Sequence, residues 1–274
     1  MKLELDGVQL FHEAHGAGDP VVLVHGSWAD HHSWDLVVPA LARSRRVIAY
    51  DRRGHSESPA RRPANVHQHV ADLVALVDHL GAGPVHLVGH SGGASIVLRV
   101  AAHHPDRVRS LVVHEPPLMD MLEGDASHAE ALRGLRRRQA AVEALLRDGH
   151  MEEAARTFVE DLAFGPGAWD RLPARSRDTF VRNAPTFLAE IDDPDVLRLD
   201  LKALRGYRGP ALLSLGDRSP PLFAPVMERV VTALPHAARH TFAGAGHVPH
   251  LSHPREYVER VEVSLASAPC LGEG

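Results

Sequence analysis

Cysteine is nearly absent from this chain of 274 residues; the one present is Cys270. A lone cysteine closes no intramolecular bridge, so a disulfide framework is excluded and a reducing, cytoplasmic setting is the expectation. Aromatic residues are scarce at 5%, which disfavours a sugar substrate stacked on rings. No apolar run approaches the roughly 18 residues that span a bilayer, so no membrane partner is expected. The opening MKLELDGVQL has one lysine followed by two acids, without the apolar stretch of a secretory leader. Positive charge is in deficit too, with Lys+Arg 30 against Asp+Glu 35 and a net charge of −5. Phosphate backbones reward the opposite balance, so no nucleic-acid partner is expected.

Histidine is abundant, with 21 copies. Imidazole serves both as a metal ligand and as a proton carrier near neutral pH, so composition leaves both a metalloprotein and an acid–base enzyme open. The length suits one large domain or two small ones, with a core that needs no staple.

Seven segments read as strands: 8–14, 20–26, 45–51, 84–90, 107–115, 210–217 and 238–244. Several are near-continuous apolar runs, as expected of strands buried on both faces of a parallel sheet. Helical patterns alternate with them. Residues 66–83 repeat apolar positions near a 3.6 period and end at Gly81, and 95–105 end at a proline. This alternation predicts an α/β fold built from βαβ units. From Pro117 to about Leu204 the strand signal lapses, and 129–149 and 151–165 read as amphipathic helices. The expected organisation is therefore an α/β core of 1–116 and 205–274 interrupted by a helical cap at 117–204. The closing SAPCLGEG reads as a frayed tail.

Gly89-His90-Ser91-Gly92-Gly93 stands between the strand PVHLV and a predicted helix. A serine at a sharp strand-to-helix turn projects its hydroxyl above the sheet, and small residues two before and two after let strand and helix approach. The helix N-terminus behind it offers N–H groups to a developing oxyanion. Serine needs a neighbouring base, and His247 sits in the loop AGAGH after the last predicted strand.

Taken with VVLVHGSW, DRRGHSES and GAGHVPHLSHP, which occur in the same order, the GHSGG block resembles the α/β-hydrolase fold family in its serine-nucleophile branch. The resemblance implies a mostly parallel sheet flanked by helices with an inserted cap. It implies Ser91 as nucleophile, His247 as general base and the backbone N–H groups of Ser27 and Gly92 as the oxyanion hole. His25 would brace that loop. No cofactor is implied.

The acid is where the chain departs from the pattern. The family's commoner site lies three residues past a glycine, and here that position is Ser219, with Asp217 one residue past Gly216. The second family site is at the end of the strand after the nucleophile helix and holds Glu115, as in haloalkane dehalogenases and zearalenone-type lactonases. Glu115 is favoured, with Asp217 as the alternative acid.

The resemblance implies a carboxylesterase or lactonase acting on a small-molecule substrate, and a homodimer is compatible with it. C–C bond hydrolysis and perhydrolysis use the same residues, and a catalytically silent receptor is a further alternative. Trp28, His90, Leu118, Met119, Phe158, Trp169 and Val248 are the pocket candidates, though Trp28 suits packed core equally well and the insertion residues suit lid core better.

The other histidines lack ligand geometry. His67 and His69 would point about 200° apart on a helix. His12-Glu13-Ala14-His15 is one residue short of H-E-x-x-H, and prolines interrupt the spacing of His247, His250 and His253. No metal site is expected.

Overall fold

The computed structural model describes residues 1–5 and 7–268. Cys270 and nearly all of the expected tail lie outside the described residues. Eight strands run as β1 (Lys2–Leu5), β2 (Val8–His15), β3 (Pro20–Val24), β4 (Arg46–Tyr50), β5 (Val85–His90), β6 (Val108–His114), β7 (Ala211–Gly216) and β8 (Ala238–Phe242). They form one sheet in the order β1-β2-β4-β3-β5-β6-β7-β8. The β1–β2 and β2–β4 pairs are antiparallel, and all others are parallel.

β1 was not among the expected strands. It is a short edge strand of alternating exposed and half-buried residues. Its signal was the Lys-Leu-Glu-Leu alternation before Gly7, whose φ of +71° permits the tight return into β2.

Alternation along the central strands divides the core into two layers. Val22, Val24, Ile48, Leu87 and Val113 face one side, where the helices Val66–Leu80, Gly92–His103 and Phe223–Ala233 pack. Val21, Leu23, Val47, Val88 and Val112 face the other, against Trp34 and the helix Pro254–Ala266. A period of two sends neighbours to opposite faces, which is why these strands are apolar throughout.

The helix Val66–Leu80 is fixed at both ends: Asn65 and Gln68 form a reciprocal capping box, and Gly81 closes it in the left-handed region. The chain then reverses its direction of strand addition at β3, which pairs with β4 on one side and β5 on the other. Ligand crevices of open α/β sheets form beyond the carboxyl ends of strands at such a switch point. His25 to Ser27 follow β3 there, and Ser91 follows β5.

Between β6 and β7 the described residues hold helices and no strand. The principal ones are Ala129–Arg147, Met151–Thr157 continuing into a π-helical stretch at Phe158–Ala163, and Ala174–Ile191. This insertion has its own apolar cluster, with Val142, Leu146, Val159, Trp169, Phe180 and Phe187 at its centre.

Candidate active site

Ser91 caps the helix Gly92–His103 with φ +53° and ψ −122°. Its N–H donates to the His114 carbonyl at 2.9 Å, tying the turn to the end of β6. A Cβ at Gly89 would meet Val97 Cγ2 at 2.6 Å and Ala94 Cα at 2.7 Å, and one at Gly93 would meet the Val24 carbonyl oxygen at 2.1 Å. Only glycine lets strand and helix come this close.

Glu115, one residue past β6, also has positive φ, at +48°. Its carboxylate is fully buried. Oε2 lies 2.6 Å from His247 Nδ1, and Oε1 accepts from the Gly216 N–H at 2.7 Å. Burial by itself would raise the carboxyl pKa, but the His247 hydrogen bond and the neighbouring His114 and His247 outweigh it, so the net shift is downward. The His247 ring is held between Phe223, stacked at 4.6 Å, and His90 at 4.7 Å. His90 Nε2 donates to the His247 carbonyl at 2.7 Å.

Asp217 goes elsewhere. Its Oδ1 accepts from the Gly244 N–H at 2.8 Å on the exposed side of the loop that leads to His247. Of the two candidate acids, Glu115 meets the histidine, and Asp217 braces the loop that carries it.

Ser27 and Gly92 are neighbours: a Cβ on Gly92 would sit 3.3 Å from the Ser27 nitrogen. His25 is buried behind this loop. Its Nδ1–H donates to the Gly26 carbonyl at 2.8 Å, and its Nε2 accepts from the Arg52 N–H at 3.0 Å. Burial, followed by the charge of Arg52, pushes its pKa well down, so the ring is neutral. Among the described residues the non-glycine positions of positive φ are Trp28, Ser56, Ser91 and Glu115. Three of the four are therefore in the Ser91 turn, the Glu115 turn and the loop after β3, and strain of this kind concentrates at functional sites.

Ser27, Ser91, Gly92 and His247 share the floor of a cavity of about 1670 Å³. Met119, Phe158 and Val248, expected in the pocket, line it, as do Phe187 and Glu190. Four other pocket candidates do not. The positive φ of Trp28 turns its ring into the insertion, where it stacks on Phe158 at 4.7 Å and touches Phe187. Trp169 packs in the same cluster, and Leu118 is buried in the main core. His90 is committed to the His247 carbonyl.

Composition and spacing gave no signal for Arg52, Asn183 or Glu190. Arg52 Nη2 donates to Glu190 Oε1 and to the Gly26 carbonyl, each at 3.1 Å, and Ser27 Oγ donates to Glu190 Oε2 at 2.5 Å. These contacts join positions up to 163 residues apart.

One group of described residues, His114, Glu115 and His247, brings ligand atoms within 4.8 Å of one another. Glu115 and His247 already share a short hydrogen bond, so a cation there would compete with it.

Residues 19–254 match the alpha/beta hydrolase fold family, and the chain belongs to it. Among its relatives, a pimeloyl-[acyl-carrier protein] methyl ester esterase of Chromobacterium violaceum is 32% identical over 263 residues, covering 94% of this chain and 98% of the esterase. A 2-hydroxymuconate semialdehyde hydrolase of Pseudomonas sp. is 44% identical over 106 residues, 36% of each chain. The enol-lactonase of Burkholderia xenovorans superposes with a TM-score of 0.78 at 20% identity, covering 97% of this chain and 100% of that one. The chain spans about half or less of the length of most of the curated relatives it matches. The chain is thus an α/β hydrolase with esterase, lactonase and C–C hydrolase relatives. Among the described residues, no helix is long and apolar enough to cross a membrane.

Proposed function

We propose that this chain is a cofactor-free serine hydrolase that cleaves a carboxylic ester or a lactone through an acyl-enzyme on Ser91. The observation that carries this reading is the buried 2.6 Å contact between His247 Nδ1 and Glu115, in a cavity whose floor also holds Ser91.

Glu115 fixes the tautomer with hydrogen on Nδ1, which leaves Nε2 as the base. His247 takes the Ser91 proton as Oγ attacks the carbonyl carbon. The oxygen of the tetrahedral intermediate receives hydrogen bonds from the Ser27 and Gly92 N–H groups. Collapse breaks the bond to the leaving oxygen, which takes the proton back from His247. Water then repeats the sequence on the acyl-enzyme, releases the acid and restores Ser91. Helices 117–204 act as a cap, placing Phe158 and Phe187 over the substrate and excluding bulk water.

Full-length similarity to a methyl ester esterase supports ester chemistry over C–C cleavage, because the C–C hydrolase relative matches only about a third of the chain. The test is labelling with a fluorophosphonate probe, located by mass spectrometry, alongside turnover of aliphatic esters, aryl esters and macrocyclic lactones. Labelling at Ser91 with turnover of at least one class is expected, and Ser91→Ala should lose both. A folded wild-type protein that takes no label would instead point to a silent binding protein.

A further inference from the structure

One face of the helix Ala174–Ile191 carries Thr179, Asn183, Thr186 and Glu190 at intervals of four, three and four residues. That spacing aligns them along a single stripe. The stripe is polar; Thr186 meets His55 at 3.2 Å, and the other three reach the oxyanion loop. Thr179 Oγ1 donates to Asp30 Oδ2 at 3.2 Å. Asn183 Nδ2 donates to the carbonyls of Ala29 at 2.9 Å and Trp28 at 3.3 Å, while its Oδ1 accepts from the Ser56 N–H at 2.9 Å. Glu190 takes the Ser27 hydroxyl at 2.5 Å. Trp28, next in the chain, is driven into the aromatic cluster of the same insertion. The loop that begins at β3 is thus held from one side by the core, through His25, and from the other by the insertion.

A carboxylate at this position has an electrostatic cost. Negative charge beside a developing oxyanion opposes its formation, and more strongly in a water-poor site. The structure offsets this directly. Arg52, only 2% exposed at its side chain, reaches the free oxygen of Glu190 at 3.1 Å and the Gly26 carbonyl of the same loop. Both Glu190 oxygens therefore have donors, and the charge is balanced within the loop's own contacts. This arrangement suits a tether better than it suits a receptor for a cationic substrate group, which would need a carboxylate free to accept.

We propose that Glu190 is a positioning residue of the oxyanion hole: it holds the Ser27 N–H toward the reacting carbonyl through the Ser27 hydroxyl, with Arg52 cancelling its charge. The inference rests on the serine-hydrolase reading above. The helical insertion thereby takes part in transition-state stabilisation as well as in covering the cavity. Glu190 touches no reacting atom, so its effect belongs in kcat and not in KM.

The experiment measures kcat and KM on a short-chain p-nitrophenyl ester, with thermal unfolding, for Ser27→Ala, Glu190→Ala, their double variant, Glu190→Gln and Arg52→Met. Ser27→Ala keeps the N–H but cuts the tether, so kcat falls about tenfold, less than the ~10²-fold or more lost when an oxyanion donor is deleted outright. Glu190→Ala falls similarly. The double variant stays within about threefold of the worse single one, because both remove the same link. Glu190→Gln stays within about threefold of wild type, since its amide can donate to the serine oxygen while its carbonyl takes Arg52. Arg52→Met leaves the carboxylate unbalanced and falls about 100-fold, and adding Glu190→Gln recovers about tenfold of that. Losses that multiply in the Ser27/Glu190 double variant, losses confined to KM, or a Glu190→Ala variant at wild-type kcat would each overturn the proposal. Ser27→Ala leaves the insertion packed, so a Ser27→Ala variant at wild-type kcat would overturn the proposal even if Glu190→Ala unfolds. A wild-type protein unlabelled by fluorophosphonate at Ser91 would bring down the hydrolase reading and this one together, whereas a labelled wild type with a fully active Glu190→Ala would remove this one alone.

Discussion

His247 Nδ1 and Glu115 Oε2 meet at 2.6 Å across 132 residues of chain, and both side chains are buried. The second Glu115 oxygen is held by the Gly216 N–H, so the carboxylate has no freedom to leave the ring. Glu115→Gln keeps the shape but can present an N–H to Nδ1, favouring the wrong tautomer. We expect kcat on a p-nitrophenyl ester to drop by roughly 10³–10⁴-fold. Asp217→Asn should stay within about threefold, because Asp217 only accepts from the Gly244 N–H at the surface. The reverse order of losses would make Asp217 the acid.

The parts of this site legible in the sequence were those with local causes. Ser91 announces itself because a strand, a strained turn and a helix must be contiguous, and the glycines around it are forced because an added Cβ would come as close as 2.1 Å to a neighbouring backbone atom. His247 is announced by its glycine-rich loop. Glu115 against Asp217 could not be settled locally: both follow strands, and what separates them is the direction each side chain takes. Trp28 illustrates the same limit. Its place in the oxyanion loop left pocket wall and packed core equally open, and its positive φ carries the ring into the insertion's core. Asn183 and Glu190 were missed because polar residues on a helix read as a solvated face until the partner surface is known, and Arg52, in the loop after β4, because its partner Glu190 lies 138 residues away.

The histidines matter chiefly as buried neutral bases. His12, His25, His55, His69, His86, His90, His114 and His250 are all held below the ordinary imidazole value, in each case foremost by burial. For His86 and His114 the values come down to about 4. Below about pH 6.5 the unfolded chain binds protons that the folded chain refuses, so stability is present at neutral pH and falls as pH drops toward 4. Each such group adds a slope of up to about 1.4 kcal/mol per pH unit. His31 acts in the opposite sense: burial lowers it, but the 2.7 Å contact with Asp51 outweighs burial and raises it. Its contribution is fully present below about pH 6.5 and is lost as pH rises. One group against eight leaves a net loss on acidification. Urea unfolding should show the midpoint falling steeply from pH 7 to pH 5 at constant m-value. A flat profile would mean these rings are solvated or paired in the folded state.

Ser91 has the backbone of a residue that pays for its position. With φ +53° and a Cβ, it sits where glycine rests without strain. Ser91→Gly should therefore raise the stability by about 1 kcal/mol while abolishing ester turnover, and Ser91→Ala should abolish turnover with little change in stability. Denaturant melts of the two variants beside wild type make the comparison. If the glycine variant is the less stable, the turn is not strained in the sense argued.

Two glycines in helices should respond to alanine in opposite directions. Gly93 belongs to the helix Gly92–His103, where an added Cβ would lie 2.1 Å from the Val24 carbonyl oxygen and 2.6 Å from that of His25. Both are backbone atoms of β3 and the oxyanion loop, so the methyl group can be admitted only by moving helix and strand apart, and a loss of more than about 4 kcal/mol or outright failure to fold is expected. Gly134 lies inside the helix Ala129–Arg147, where the nearest atom to a new Cβ is the mobile end of Arg138 at 3.4 Å. Gly134→Ala removes backbone freedom from the unfolded chain at a conformation alanine prefers, and should add about 0.5–1 kcal/mol. Chemical denaturation of the two single variants measures both effects. A destabilised Gly134→Ala would show that this helix needs its glycine for an approach across the cavity, and a well-folded Gly93→Ala would mean that β3 and the helix Gly92–His103 are not locked at the distance the turn requires.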